Sequence, residues 1–241
     1  MRSGKTWTGL TVAACLLPAA AAVPAQTYPT KPIRMIVTFP AGSGADIVAR
    51  TVGHTMAETL GQQIVIDNRA GAGGIIGSDL AAKAIADGYT IVMVTSAHTI
   101  NASVYRKLPY DPEHDFAPIT MLASTPYLLV AHPSLAAKSI AELIALAKAK
   151  PGQINYASGG IGVGSHLAGE MFKSATGVNI VNVPYKGAPQ ATADVVGGQV
   201  QLSFSTMPTA LPLVRAGKLR MLAVTSLQRG AVIPDVPAIA E

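Results

Sequence analysis

The chain of 241 residues contains a single cysteine, Cys15. Cleavage of a leader after Ala25 would leave none. The mature protein would then have no disulfide, no thiolate nucleophile and no cysteine metal site. Charge is scarce too: 13% of residues are Asp, Glu, Lys or Arg, against 49% that are apolar. Disordered chains have the opposite balance, so a globular fold is expected. The formal net charge is +5, with Arg2 and Lys5 in the expected leader and the other basic residues scattered. A nucleic-acid partner calls for a basic run or stripe, which is missing, so the charge supports only weak steering of anions. No stretch after the leader is long and apolar enough for a transmembrane helix. The five histidines fall into no metal-binding spacing, and no G-x-x-x-x-G-K-[ST] loop is present.

What is present begins with a secretory pattern. Arg2 and Lys5 precede an apolar stretch from Leu10 to Ala22, and Val23-Pro24-Ala25 forms an A-x-A-like cleavage site. This predicts a signal peptide over residues 1–25 and a periplasmic location. Two alternatives stay open: a retained membrane anchor, and lipoprotein processing at the Val12-Ala13-Ala14-Cys15 box.

The remainder alternates strand and helix. Ile33–Phe39 is β-branched and apolar and stops at Pro40, so it reads as a buried strand. A helix follows from about Asp46 to Leu60, ended by Gly61. Gln63–Asp67 is a second strand. A glycine-rich stretch, a helix to about Ala86 and strand Thr90–Thr95 complete a β-α-β-α-β unit with parallel strands. Tyr110–Pro118 is irregular and reads as a crossing between lobes. Strands Ile119–Ala123 and Tyr127–Ala131 come next, then a helix started by the capping box Ser139-Ile140-Ala141-Glu142. A second βα series runs to about Thr225. The expected organisation is a leader at 1–25, a first lobe at 26–118, a second lobe at 119–225 and a segment at 226–241 returning toward the first lobe. The chain halts where a helix looks about to begin, which suggests that a C-terminal part of the first lobe is missing.

Two loops carry the chemistry. Phe39–Asp46 lies between the first strand and the first helix, and Ser158–His166 lies between a strand and a helix of the second lobe. Each places small residues and unpaired N–H groups at a helix N-terminus, where the helix dipole is positive and anions bind. Facing each other across a cleft, the two would clamp a carboxylate. Dinucleotide binding fits poorly, because Ile47 and Ile76 stand where the third glycine of G-x-G-x-x-G belongs. Ser165 and His166 are adjacent and lie outside any G-x-S-x-G, so nucleophilic catalysis has thin support. Glu170, four residues past His166, is expected to pair with it.

Many short motifs occur together in one order: Pro29-Thr30-Lys31-Pro32-Ile33-Arg34, Phe39-Pro40-Ala41-Gly42, Asp67-Asn68-Arg69-Ala70-Gly71-Ala72-Gly73-Gly74, Asp87-Gly88-Tyr89-Thr90, Ser165-His166-Leu167-Ala168-Gly169-Glu170 and Val183-Pro184-Tyr185-Lys186-Gly187. From about Pro29 onward the chain resembles the Bug family, the extracytoplasmic solute receptors of tripartite tricarboxylate transporters. The resemblance implies a type II periplasmic binding protein fold, two α/β lobes joined by a hinge. It implies a small carboxylate ligand, no catalysis, no cofactor, and delivery by a monomer to membrane transporter subunits or a sensor domain. Carried over by position, the ligand contacts would be Ala41, Gly42, Ser43, Asp46 and Ser96 in the first lobe, and Ser158, Gly160, Val163 and Ser165 in the second. Three positions depart from the family pattern. Ser43 replaces a common glycine, Val163 a common hydroxyl residue, and Ser205 a common aspartate.

Overall fold

A computed structural model describes residues 28–241. The leader expected over 1–25, with Cys15, lies outside the described residues.

The first lobe is built on a three-stranded parallel sheet of order β2-β1-β3. These strands are β1 (Ile33–Val37), β2 (Ile64–Asn68) and β3 (Thr90–Met93). β1 is central, and its near-continuous apolar run fits a strand covered on both faces. Helix α1 (Gly44–Leu60) connects β1 to β2. It packs Ala49 against Met35 and Val37, with Met56, Ile64 and Ile66 around them. Ser43 caps its start by accepting the Asp46 N–H, and Gly61 ends it at φ 66°, a left-handed conformation that suits glycine. Helices α2 (Ile75–Ala82) and α3 (Ala97–Val104) complete the lobe.

The second lobe holds five strands, β4 (Tyr127–Ala131), β5 (Asn155–Ser158), β6 (Val181–Pro184), β7 (Leu202–Thr206) and β8 (Arg220–Val224), in the order β6-β5-β7-β4-β8. β5, β6 and β7 run parallel, and β4 is antiparallel to both β7 and β8. Helices α4 (Ile140–Ala149), α5 (Gly164–Thr176), α6 (Ala188–Val196) and α7 (Met207–Arg215) cover it. Side chains on β4 alternate between two cores, as a period of two requires. Leu129 and Ala131 join Tyr156, Phe172 and Phe204 in one. Leu128 and Val130 join Val195 and Ala210 in the other.

Several elements differ from the sequence expectation. Helix α3, which carries His98, lies where the sequence announced no helix. The His98 ring stacks on Tyr110 and meets Phe116 edge-on at 4.8 Å, which anchors the crossing chain to that helix. Ile119–Ala123 forms no strand. Ile119 and Met121 are 80% and 81% exposed, and among the described residues no strand lies beside them to take up their backbone groups. The helix expected to reach Ala86 ends at Ala82. Within residues 226–241, Ala238 bridges to Val224, so this segment rests on β8 of the second lobe. Glu170 binds the Tyr156 phenol and the Lys173 ammonium rather than His166, because Tyr156 and Lys173 lie within 2.9 Å of its oxygens.

Candidate functional site

A cavity of about 60 Å³ lies between the lobes, lined by Ser43, Gly44 and Ala45 from the first and by Gly164, Ser165 and Thr206 from the second. The tips of α1 and α5 therefore open onto the same space. At the α1 tip, Ser43 Oγ takes the Asp46 N–H, and the Ser43 carbonyl takes the Ile47 N–H. Among the described residues the N–H groups of Gly44 and Ala45 have no acceptor. At the α5 tip the Val163 carbonyl takes the N–H groups of His166 and Leu167, and among the described residues those of Gly164 and Ser165 have no acceptor. Four unpaired donors at two positive helix ends thus border one cavity. Ala188, the first residue of α6, and Thr206, which precedes α7, add two further helix starts to its wall.

Among the described residues no charged side chain lines this cavity. An anion entering it meets backbone donors and hydroxyls alone. Tyr127 lies on the wall, and its ring occupies the space beside Gly164 that a Cβ would need. Burial raises the Tyr127 phenol, while the Ser96 hydroxyl of the first lobe works against that rise. A larger cavity of about 220 Å³ continues from the first, sharing Phe39 and Gly159. It is lined by Gly73, Gly160, Tyr105, Tyr185 and Lys186, and Lys186 is the one cation among the described residues on either wall.

The expected contacts separate into groups. Ser43, Val163 and Ser165 line the first cavity, and Gly160 lines the second. Ser96 lines neither cavity. Ala41 and Gly42 are exposed and line neither cavity. Asp46 is 3% exposed and turned inward: its carboxylate accepts the Gly42 N–H at 2.9 Å, the Asn68 amide at 2.9 Å and the Arg50 guanidinium at 2.9 Å. Burial would raise its carboxyl, but these bonds outweigh burial and hold it below 3.8. Ser158 is fully buried, its hydroxyl directed to the Gly160 carbonyl. Ser205 lies behind the wall, donating to Ser203 Oγ at 3.0 Å, and it is Ser203 that reaches the cavity. Gly44, Ala45, Tyr127 and Thr206 were missed. The signal for Gly44 and Ala45 was in the cap: once Ser43 is the N-cap, the next two N–H groups are the free ones.

Residues 48–241 match the family described as the tripartite tricarboxylate transporter family receptor. The chain is 42% identical to Protein BugT of Bordetella pertussis over 224 residues, which make up 92% of this chain and 69% of BugT. It superposes on the R. palustris protein Rpa4515 with adipate at a TM-score of 0.86 and 39% identity, covering 88% of this chain and 72% of the other. MatC from Rhodopseudomonas palustris with bound malate superposes at 0.83 and 31% identity, again over 88% and 72%. The chain spans about two-thirds of the length of the curated relatives it matches, 69% and 64% for two of them.

Proposed function

The chain belongs to the tripartite tricarboxylate transporter receptor family, and from that premise we propose that it captures a small carboxylate between its lobes in the periplasm and delivers it to a membrane transporter. One observation carries this reading. The unpaired N–H groups of Gly44, Ala45, Gly164 and Ser165 converge on a cavity without charged side chains. A carboxylate bound there keeps no competing acid beside it and completes the bonds of both helix tips. Each charge-assisted hydrogen bond is worth about 1.5–3 kcal/mol. Four of them, less the entropy of binding, support micromolar affinity, about −8 kcal/mol.

The adjoining cavity gives the rest of the ligand a place to extend. Rpa4515 and MatC hold adipate and malate, both acids with two carboxyl groups. Lys186 on the second wall suits a second acid group. Closure of the two lobes around the ligand excludes water from the tips.

The reading involves no turnover. Ser165 Oγ accepts the Gly159 N–H at 3.0 Å, and among the described residues no histidine lines the cavity to act as its base. Titration calorimetry with adipate, malate and putrescine tests the proposal. One of the acids binds in the micromolar range, putrescine does not, and the acid is recovered unchanged. Binding of putrescine alone, or consumption of the acid, contradicts it.

A further inference from the structure

We propose that Gly44 and Gly187 are positioning residues for ligand capture: the bare backbone at these two points lets the lobes meet, and any side chain there holds them apart. The inference rests on the capture reading above. A Cβ on Gly44, in the first lobe, would lie 2.8 Å from Thr206 Oγ1, 3.2 Å from Thr206 Cβ and 3.3 Å from Thr206 Cγ2, all in the second lobe. The contact with Oγ1 is closer than a real Cβ comes, and at the other two Thr206 would have to give by a few tenths of an ångström. The Thr206 hydroxyl is engaged with Thr209 Oγ1 at 2.9 Å, so it does not turn aside freely. A Cβ on Gly187, in the second lobe, would run into the Pro40 ring of the first. That ring is closed on its own backbone and has no rotamer that clears the space.

The same seam holds two more glycines. A Cβ on Gly73 would lie 2.9 Å from the Ile161 carbonyl, and one on Gly162 would lie 2.7 Å from Asn101 Oδ1, each across the lobe boundary. At these two, φ is +63° and +76°, so the local turn already calls for glycine. Gly44 and Gly187 differ. Gly44 is the first residue of α1, and Gly187 is extended at φ 164°. Either backbone accepts alanine without strain. Their own lobes therefore give no reason for glycine, and the approach of the opposite lobe does. Gly44 also carries one of the unpaired N–H groups, so a lobe held off at this point withdraws a donor from the ligand.

Disulfide trapping reads closure directly. Gly42 and Pro189 face each other across the seam, with a Cβ on Gly42 lying 3.9 Å from Pro189 Cγ. A Gly42→Cys, Pro189→Cys pair in a Cys15→Ser background is oxidised, and the rate of bond formation is followed. Adding Gly44→Ala or Gly187→Ala slows the bond at least tenfold, while the melting temperature of the reduced protein is unchanged or raised. Thr206→Ala restores the rate in the Gly44→Ala protein and leaves the Gly187→Ala protein slow. In proteins without the cysteine pair, each glycine variant binds adipate at least tenfold more weakly than the parent. Rates within twofold of the parent, or, where the strained cysteine at Gly42 (φ +77°) keeps the parent pair from forming its bond, glycine variants that bind adipate as tightly as the parent, overturn the proposal. A parent that binds neither adipate nor malate sinks the ligand assignment instead, and the trapping rates still decide the seam.

Discussion

Asp46 accepts the backbone N–H of Gly42 at 2.9 Å, so the acidic residue of the first loop braces the loop from inside and lines neither cavity. The loop that presents Gly44 and Ala45 owes its shape to this bond and to those from Asn68 and Arg50. Replacing Asp46 with Asn is expected to cost about 2 kcal/mol at pH 7. The carboxyl is held below its usual 3.8 in the folded state. Its contribution is therefore present above pH 3.8 and is lost as pH falls through the lower folded value. Urea denaturation of the parent and Asp46→Asn at several pH values should show two curves that converge below pH 3.8.

Ser165 does for the second loop what Asp46 does for the first. Its hydroxyl takes the buried Gly159 N–H at 3.0 Å. Ser165→Ala leaves that donor unpaired, at about 1–3 kcal/mol. The same change loosens the loop leading to Gly164, so acid affinity falls with stability. Chemical denaturation and calorimetry on one preparation measure both.

Val163 occupies the N-cap position of α5 in an extended conformation with no side-chain acceptor. Val163→Thr has nearly the same volume and supplies one. A cap is worth about 1 kcal/mol. In a chain of this size that raises the melting temperature by roughly 2–4 °C, a shift that calorimetric scanning resolves.

Gly169 on α5 packs against the Tyr156 ring, which lies where a Cβ would have to go. Tyr156 is fully buried, packs edge-on to Phe204 at 5.9 Å, and donates its hydroxyl to Glu170 at 2.8 Å. It has no room to retreat. Gly169→Ala is expected to destabilise by about 3 kcal/mol despite alanine's better helix propensity. Adding Tyr156→Phe should not restore the loss, because the ring remains. Equilibrium unfolding of the single and double variants checks both statements.

The second lobe was the more legible in sequence. Ser139 caps α4 as the box predicted, because that signal lies within one turn of chain. The first lobe was less so. Ala97–Val104 carries no side-chain cap and only Ala97 and Asn101 are buried, so its periodicity is too faint to announce a helix. Ile119–Ala123 has the composition of a strand, but strand formation depends on a neighbour, which a single segment does not disclose. The antiparallel direction of β4 is likewise a property of the whole sheet.

At the site, sequence reasoning found the two loops and misjudged depth within them. Position along a loop does not tell which N–H is already bonded. Gly42 and Asp46 satisfy each other, and Ser205 is turned to Ser203, while the open donors sit one step further along at Gly44 and Ala45. Tyr127 enters only because the crossing segment returns it beside Gly164.

Amide resonances followed during titration with adipate and malate address the central claim most directly. The account predicts that the largest downfield proton shifts fall on Gly44, Ala45, Gly164 and Ser165 together, saturating at one equivalent of acid. Saturable binding whose shifts cluster elsewhere, or at one helix tip with the other unmoved, would contradict it.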